Sequence, residues 1–304
     1  MKRFAYYLCA LSAGIFVING CTEEEQPAPI QEEVPQHIIN KLNDLGFDTE
    51  NQAPLVFEEG YLVEGDIYLK PVDIDNMKPA TGLRIATEEQ YSTNNLVSVG
   101  SGRVVTIYIP QETSGGGGNG GGKGKKPGGG GGGDGFSATY VDAVDEAISR
   151  YNTQTLGLEL TFQRINNSNA DIVFTRLNKR DERRGVLGSA GFPTSSGDPY
   201  GQIKMSGVLE STYGLSVNGI ATIIAHEMGH CIGFRHTDYF DRSISCGGGT
   251  SNEGDGGVGA NHIPGTPTGA TSNAQSWMLA CTDGSDRPFN NDDKTALTTL
   301  YDLL

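Results

Sequence analysis

The stretch HEMGHCIGFRHTD, residues 226–238, limits what this chain can fold into more than any other feature of the sequence. His226 and His230 are four residues apart, so on a helix their imidazoles lie on one face, one above the other. Gly233 then permits a sharp turn that a residue with a Cβ makes only at a cost. Beyond that turn His236 can swing back as a third nitrogen ligand, so the segment predicts a helix and a tight turn around a metal ion.

Three neutral imidazoles and one open position describe a catalytic zinc site, in which the metal lowers the pKa of its bound water to roughly 7. Glu227 follows the first histidine and points to the side, close enough to the metal to handle a proton without ligating it. The alternative is a helix whose histidines are merely packed. Since three of the five histidines of the chain stand in this motif, we favour one zinc ion held by His226, His230 and His236.

The pattern HExxHxxGxxH is the metzincin motif, and the version here resembles the bacterial dual-action HEIGH metallopeptidases, with Met228 where that name has Ile. Metzincins carry a Met-turn below the zinc, and Ser276-Trp277-Met278 looks like it. The resemblance covers residues 81–304. It implies a mixed α/β fold with a twisted sheet of four to five strands, an antiparallel edge strand, an active-site helix and a closing helix. It also implies zinc-dependent hydrolysis of peptide bonds, but no particular substrate.

The same resemblance suggests roles for individual residues. Glu227 would act as the general base toward the attacking water. Met278 would pack beneath the site without ligating the metal. Thr237 and Asp238 could orient His236 from behind, although their positions equally suit turn chemistry.

Residues 185–193, GVLGSAGFP, resemble the antiparallel edge strand that lines the cleft of matrix metalloproteinases. In those enzymes the free backbone groups of the strand pair with an extended substrate. The resemblance implies that substrate binds along Gly188, Ser189, Ala190 and Gly191. A strand-and-loop segment at the surface is the alternative.

Alternation and helical spacing predict the elements around the motif. Three stretches rich in β-branched and aromatic residues are predicted strands: residues 103–109, 158–162 and 171–175. Ser137 is expected to cap one helix and Asn218 to cap the helix of the motif. Residues 293–303 predict a closing helix.

The first twenty residues predict a targeting segment, because Lys2 and Arg3 precede an apolar run that is too short for a membrane span. The run ends in VINGC, which looks like a lipobox in which Cys21 would be acylated. Asn19 departs from the usual small residue, so plain secretion is the alternative. We therefore expect a lipid-anchored protein of the cell envelope. The anchor would lie in the outer membrane, and exposure on the outer surface of the cell is one of the two possible orientations.

Composition divides the rest of the chain. Residues 21–33 are rich in Glu, Gln and Pro and predict an extended tether. Residues 34–80 predict a small accessory or pro-region, with a helix over 34–45 and strand on both sides of Gly65. Residues 81–304 would be the peptidase domain, in which the glycine-rich stretch 115–135 predicts a disordered insertion.

The pro-region has two routes by which it could block a zinc site. No cysteine lies between Cys21 and Cys231, which excludes latency through a cysteine of this region. An acidic residue such as Asp66 could cap the zinc instead. Whether the region is removed in the mature protein is left open by the sequence.

The net charge of the chain limits the kinds of partner that it can bind. The formal net charge of −15 argues against nucleic acid, because phosphate binding needs a basic face. We expect a monomer that binds protein or peptide substrates.

Cys246 and Cys281 flank the site on loops, whereas Cys231 lies on the core side of the helix, so we favour a Cys246–Cys281 disulfide.

An acidic cluster precedes the closing helix. Its members are Asp283, Asp286, Asp292 and Asp293. Their spacing fits a structural calcium site, a helix N-cap, or both.

A competing hypothesis from another class is a surface-exposed binding or adhesion lipoprotein that keeps the zinc fold. The retained Glu227 argues against it, since a site without chemistry needs the metal ligands but not the base.

Replacing Cys21 by Ser tests the lipobox. Labelled fatty acid should enter the wild-type protein and not the Cys21→Ser variant, because the acyl chains are attached at this residue. A wild-type protein that takes up no label and begins at another residue would be a plain secreted protein.

Overall fold

The computed structural model describes residues 32–50, 52–77, 90–112, 135–154, 157–250, 252–254, 257–267 and 275–302. The predicted signal peptide, Cys21, most of the tether and residues 115–134 of the glycine-rich insertion lie outside the described residues. The expectations for these segments stay predictions.

Helices and strands are numbered in chain order. The helices are α1 (Gln36–Leu45), α2 (Pro71–Asn76), α3 (Ala138–Gln154), α4 (Lys179–Arg183), α5 (Val217–Ile232), α6 (Ser243–Cys246) and α7 (Asn291–Tyr301). The strands are β1 (Leu55–Phe57), β2 (Gly60–Val63), β3 (Ile67–Leu69), β4 (Tyr91–Ser92), β5 (Arg103–Tyr108), β6 (Leu160–Arg164), β7 (Ile172–Arg176), β8 (Gly188–Ser189), β9 (Gln202–Met205) and β10 (Asn261–His262).

A five-stranded sheet in the order β6-β5-β7-β9-β8 carries the site. The first four strands in that order are parallel to their neighbours, and the short edge strand β8 runs antiparallel to β9. Apolar residues of β5, β6 and β7 are buried beneath α3 and α5 in one continuous core. The mixed α/β class and the antiparallel edge strand agree with the prediction from the sequence.

Helix α5 runs through the middle of this core, and every residue from Gly219 to Ile232 is buried. A helix that is buried on all sides needs an apolar sequence all round, and the isoleucines and alanines of α5 supply it. Its N-cap is Ser216, whose side chain accepts a hydrogen bond from the Gly219 N–H. The expectation of Asn218 was wrong by two residues, because both side chains cap well and spacing alone cannot choose between them.

The end of α5 depends on Gly233. Its φ of 108° lies in the left-handed region that favours glycine. A Cβ there would also lie 2.9 Å from the carbonyl oxygen of Asn95, too close for any side chain. The chain therefore turns sharply at the residue that the motif predicts, and His236 returns toward the helix.

The N-terminal block, residues 34–77, belongs to the same compact unit, Glu33–Leu304, as the rest of the described chain. β1, β2 and β3 form an antiparallel sheet, and Glu64, Gly65 and Asp66 make the turn between β2 and β3. One face of α1 packs on this sheet through buried apolar side chains: Ile38, Leu42, Leu45, Val63, Ile67 and Leu69.

The closing helix α7 begins with a reciprocal cap. The Asn290 side chain accepts from the Asp293 N–H, and the Asp293 carboxylate accepts from the Asn290 N–H. Two of the other clustered aspartates have separate partners, since Asp286 pairs with Arg150 and Asp283 with Ser285. Among the described residues these carboxylates form no group able to hold one ion, so the geometry supports the N-cap alternative and gives a calcium site no support.

Cys246 and Cys281 form a disulfide, the pair that the sequence favours, and Cys231 is a buried free thiol. The disulfide joins the end of α6 to the segment after the Met-turn. Within the described ranges no helix has the length and apolar character needed to cross a membrane.

Residues 113–134 should be replaceable by a few residues without loss of the fold. The two ends already meet, because the Phe136 N–H donates to the Pro110 carbonyl at 2.8 Å and the Glu112 N–H donates to the Phe136 carbonyl at 2.9 Å. Loop closure entropy also changes only slowly with length. Thermal unfolding of the shortened protein should therefore give a Tm close to that of the parent, and a large fall would mean that the insertion docks on the fold.

Candidate metal centre

The three histidines of the motif meet at one point. His226 Nε2 and His230 Nε2 are 3.1 Å apart. The Oδ2 atom of Asp66 lies 3.1 Å from His236 Nε2 and 3.5 Å from His226 Nε2. All four atoms lie within 4.8 Å of one another, so they form a compact group of three nitrogens and one oxygen.

Each imidazole is held by its other nitrogen. The Nδ1 atom of His226 is 2.9 Å from the Trp277 carbonyl oxygen, and that of His230 is 2.9 Å from the Phe234 carbonyl oxygen. A carbonyl oxygen can only accept, so both Nδ1 atoms must carry the proton and both Nε2 atoms keep a free lone pair. This is the tautomer that a metal ligand requires.

The third histidine is held by a carboxylate. His236 Nδ1 donates to Oε1 of Glu253 at 2.8 Å, and both side chains are fully buried. Carboxylate–histidine pairs of this kind fix the ring and increase the basicity of the ligating nitrogen. All three imidazoles are thus oriented toward the same point by oxygen acceptors.

The group fits a zinc ion. Nitrogen ligands about 2.0–2.1 Å from zinc at tetrahedral angles lie roughly 3.3 Å from one another, close to the 3.1 Å between His226 Nε2 and His230 Nε2. Burial and the neighbouring His226 hold the pKa of His230 well below its usual value, so His230 is in the neutral form that binds metal. The site also contains two buried carboxylate oxygens with no hydrogen-bond partner within the described ranges, Asp66 Oδ1 and Glu227 Oε2. A buried carboxylate oxygen to which no described residue donates a hydrogen bond, such as Asp66 Oδ1, calls for a nearby cation.

Glu227 lies between α5 and the edge strand. Burial, and then the charge of Asp66, raise the pKa of Glu227 well above its usual value, so this carboxyl can hold a proton. A Cβ at position 188 would lie 2.5 Å from Glu227 Oε1, which means that only glycine lets β8 approach this close. The edge strand and the predicted base therefore occupy the same side of the metal position.

The four residues expected to form the substrate-binding edge have different contacts. Gly188 and Ser189 form β8, Ala190 continues the edge, and Gly191 packs under the ring of Tyr200. The backbone of Ala190 is already paired, since its N–H donates to the Asp66 carbonyl at 3.1 Å and its carbonyl accepts from the Tyr68 N–H at 2.9 Å. The turn between β2 and β3 thus occupies part of the edge.

The Met-turn lies against α5. Met278 is fully buried, and its sulfur packs on Gly229 between the first two histidines. The Met278 carbonyl accepts from the Thr237 N–H at 2.8 Å, so the turn is also tied to the residue after His236. Met278 supports the site by packing and backbone contact.

Asp238 makes no hydrogen bond to His236, so the orienting role expected for it is replaced by the alternative role in the turn. Its carboxylate accepts from the Ser245 hydroxyl at 2.6 Å and from the Ala280 N–H at 2.9 Å, so it ties the turn after His236 to the segments that carry the disulfide. The partner of His236 is Glu253, which sequence reasoning missed. The only available signal was an acidic residue in the long loop after the motif, and Asp255 offers the same signal.

A buried charge cluster surrounds Glu253. Arg242 Nη1 donates to Glu253 Oε1 at 2.7 Å, and Arg235 Nη2 lies 3.5 Å from Glu253 Oε2 and 3.4 Å from Glu64 Oε2. Although burial raises the pKa of Glu253, His236 and the two arginines together lower it to about 2. Glu253 therefore stays ionised and keeps its hydrogen bond to the third imidazole.

A cavity of about 280 Å³ opens beside the site. Asp66, His226 and Glu227 line it on the side of the metal position, and Ile223 and Leu279 give it an apolar wall. It has room for a side chain of a bound peptide.

Comparison with known proteins identifies a family and distant structural likenesses. A family model described as dual-action HEIGH metallo-peptidase matches residues 129–301. A structure of myroilysin is 14% identical, with 70% of this chain and 99% of that chain covered and a TM-score of 0.38. High choriolytic enzyme 1, a hatching enzyme zinc-protease from Oryzias latipes (medaka fish), is 15% identical, with 69% and 94% covered and a TM-score of 0.35. No curated protein sequence matches the chain.

Glu253→Gln should weaken metal binding and also lower the Tm, because it neutralises one acid of a buried charge cluster. The amide keeps the shape but removes the charge that orients His236, and loss of such a partner typically costs about 10- to 100-fold in metal affinity. Competition with a chromogenic chelator would measure the zinc affinity.

Asp238→Asn is the matched control for this change. It alters a buried carboxylate of the neighbouring turn that does not touch an imidazole, so it should lower the Tm and leave zinc affinity near that of the parent. Equal zinc affinities for Glu253→Gln and the parent would contradict the orienting role of Glu253.

Proposed function

Because the chain belongs to the dual-action HEIGH metallopeptidase family, we propose that it hydrolyses peptide bonds with one zinc ion held by His226, His230 and His236. The observation that carries this proposal is that the Nε2 atoms of three imidazoles converge, while an oxygen acceptor holds the Nδ1 atom of each ring. The proposed enzyme is a zinc endopeptidase of metzincin type that acts on proteins or peptides.

When bound, the zinc ion supplies a Lewis acid for the scissile carbonyl and lowers the pKa of water. Glu227 supplies the proton transfers. Its buried Oε2 makes no hydrogen bond to any described part of the chain, so it is free to accept a proton from the attacking water. The raised pKa of Glu227 lets it keep that proton until the leaving nitrogen takes it. The water's second hydrogen stays with the new carboxyl group, so protons balance over the cycle.

Substrate orientation follows from the edge strand. An extended peptide that pairs with the backbone of residues 188–191 would run past Glu227, because β8 lies against that side chain. A neighbouring side chain of the peptide would enter the cavity lined by Ile223 and Leu279. We therefore expect a preference for extended or unfolded segments of protein substrates.

The remaining parts of the proposal concern placement. An acylated Cys21 would tether a monomeric enzyme to the outer membrane, and plain secretion is the outcome if the lipobox is not used. Surface binding or adhesion without hydrolysis is the competing function. A buried acid without a metal-ligating role is unfavourable for a protein that only binds, and this supports the peptidase.

Glu227→Gln tests the chemistry directly. It keeps the shape of the side chain and removes the proton acceptor, so it should bind zinc like the parent and lose turnover by roughly 10²- to 10⁴-fold. Hydrolysis of a generic unfolded protein and the zinc content would be measured together.

Two variants serve as comparisons. Glu59→Gln changes an exposed glutamate of the turn between β1 and β2 and should leave both quantities unchanged. His236→Ala should lose zinc as well as turnover. Near-parental hydrolysis by Glu227→Gln would mean that Glu227 is not the general base, and it would favour the adhesion hypothesis.

A further inference from the structure

Asp66 occupies the position of a fourth metal ligand. Its Oδ2 lies within 3.5 Å of two of the three converging Nε2 atoms, and its side chain is largely buried. Three histidines leave one corner of a tetrahedral zinc site, and a carboxylate oxygen is a normal zinc ligand. Its second oxygen, Oδ1, has no hydrogen-bond partner within the described ranges, which suits a carboxylate whose partner is a cation.

The backbone beside Asp66 occupies the substrate edge. The Ala190 N–H donates to the Asp66 carbonyl at 3.1 Å, and the Tyr68 N–H donates to the Ala190 carbonyl at 2.9 Å. The bridge between Ile67 and Ala190 is parallel. These are the groups of the edge that a bound peptide would use, so the chain fills with its own backbone the place of an extended substrate.

The turn that presents Asp66 is held in an unfavourable conformation. Glu64 has a φ of 55°, which is uncommon for a residue with a side chain. Its carbonyl accepts from Arg242 Nη1 at 2.6 Å, and its carboxylate lies 3.4 Å from Arg235 Nη2. Strained backbone persists only where surrounding contacts hold it, and here both arginines also contact the partner of His236.

The three-stranded sheet that contains the β2–β3 hairpin is anchored separately on its outer side. Lys204 of β9 forms an ion pair with Glu58, and its ammonium lies 5.0 Å from the ring centroid of Phe57 and 4.7 Å from that of Tyr68. Cation–π contacts of a partly desolvated lysine add to the apolar packing of these rings. The three-stranded sheet is thus fixed to β9 on one side, and its β2–β3 turn lies at the metal position on the other.

We propose that Asp66 is a fourth ligand of the metal and that the β2–β3 hairpin keeps the chain latent by filling the water position and the substrate edge together. This inference rests on the proposed function, because latency has meaning only for a site that binds metal and substrate. A ligand joined to its site by the chain itself acts at a high effective concentration, so free peptides compete poorly with it.

Access to the metal tests the proposal without relying on activity. Acetohydroxamate, a small bidentate metal ligand, would be titrated into the cobalt(II)-substituted protein and followed by the visible spectrum of the cobalt. Asp66→Ala should bind acetohydroxamate at least about tenfold more tightly than the wild type, since an open state below about one tenth of the population lowers apparent affinity by that factor. Asp66→Asn, which keeps the shape, covers the case in which Asp66→Ala does not fold.

Glu59→Ala is the matched control, because it removes an exposed acidic side chain from the neighbouring turn between β1 and β2. It should bind acetohydroxamate like the wild type. A wild type that binds acetohydroxamate as tightly as both Asp66 variants overturns the latency while leaving the proposed function intact. Failure of every variant to bind cobalt or zinc overturns both.

Hydrolysis of an unfolded protein provides the second readout. Asp66→Ala should hydrolyse it at least about tenfold faster than the wild type, for the same reason of access. Adding Glu227→Gln to Asp66→Ala should abolish the gain, which assigns the activity to this site. Equal rates for Asp66→Ala and the wild type, with metal bound to both, contradict the latency.

The backbone pairing has its own test in amide exchange at Ala190. Tyr68→Pro and Tyr68→Ala remove the same ring, but only proline also removes the N–H that donates to Ala190. Exchange of the Ala190 amide should be up to about tenfold faster in Tyr68→Pro than in Tyr68→Ala, the effect of one hydrogen bond. Equal exchange in the two variants would mean that the hairpin does not occupy the edge in solution.

Discussion

The metal position depends on hydrogen bonds made by the nitrogens that face away from it. Each imidazole presents Nε2 to the shared point because an oxygen acceptor holds its Nδ1. These acceptors come from the Met-turn, from the turn after α5 and from the loop that carries Glu253. The helix alone aligns two rings, and the surrounding loops have to fold before three nitrogens can meet. The metal position is therefore a product of tertiary structure.

Charge balance links the N-terminal block to this same position. Four ionisable side chains lie buried behind the third imidazole, two acids and two arginines: Glu64, Glu253, Arg235 and Arg242. An unpaired charge in such surroundings is costly, so the four are stable only as a set. One of the acids, Glu64, comes from the turn that also presents Asp66. The block is thus part of the electrostatic interior of the site, and its removal would leave the two arginines with one acid between them.

The helical part of the site could be predicted from spacing, and the part made by loops could not. Residues 226–230 lie on one helix, and Gly233 ends it, because local geometry decides both features. The mixed α/β class, the number of strands in the main sheet and its antiparallel edge followed from the resemblance to a known fold. The contact of Glu253 with His236 and the contacts of Asp238 depend on how a long loop without periodicity folds back. The sequence of such a loop does not indicate which of its residues will lie beside the site. The position of Asp66 beside His236 is set across 170 residues, so its acidity suggested a metal cap but only the fold brings the two together.

The contact between Gly188 and Glu227 has a consequence for other members of the family. Any side chain at position 188 would collide with the carboxylate of Glu227. A relative that carries a larger residue at the equivalent position must shift its edge strand or its glutamate side chain. A single column of an alignment can therefore separate the chains that share this arrangement of strand and acid from those that have the same histidine motif but a differently shaped cleft.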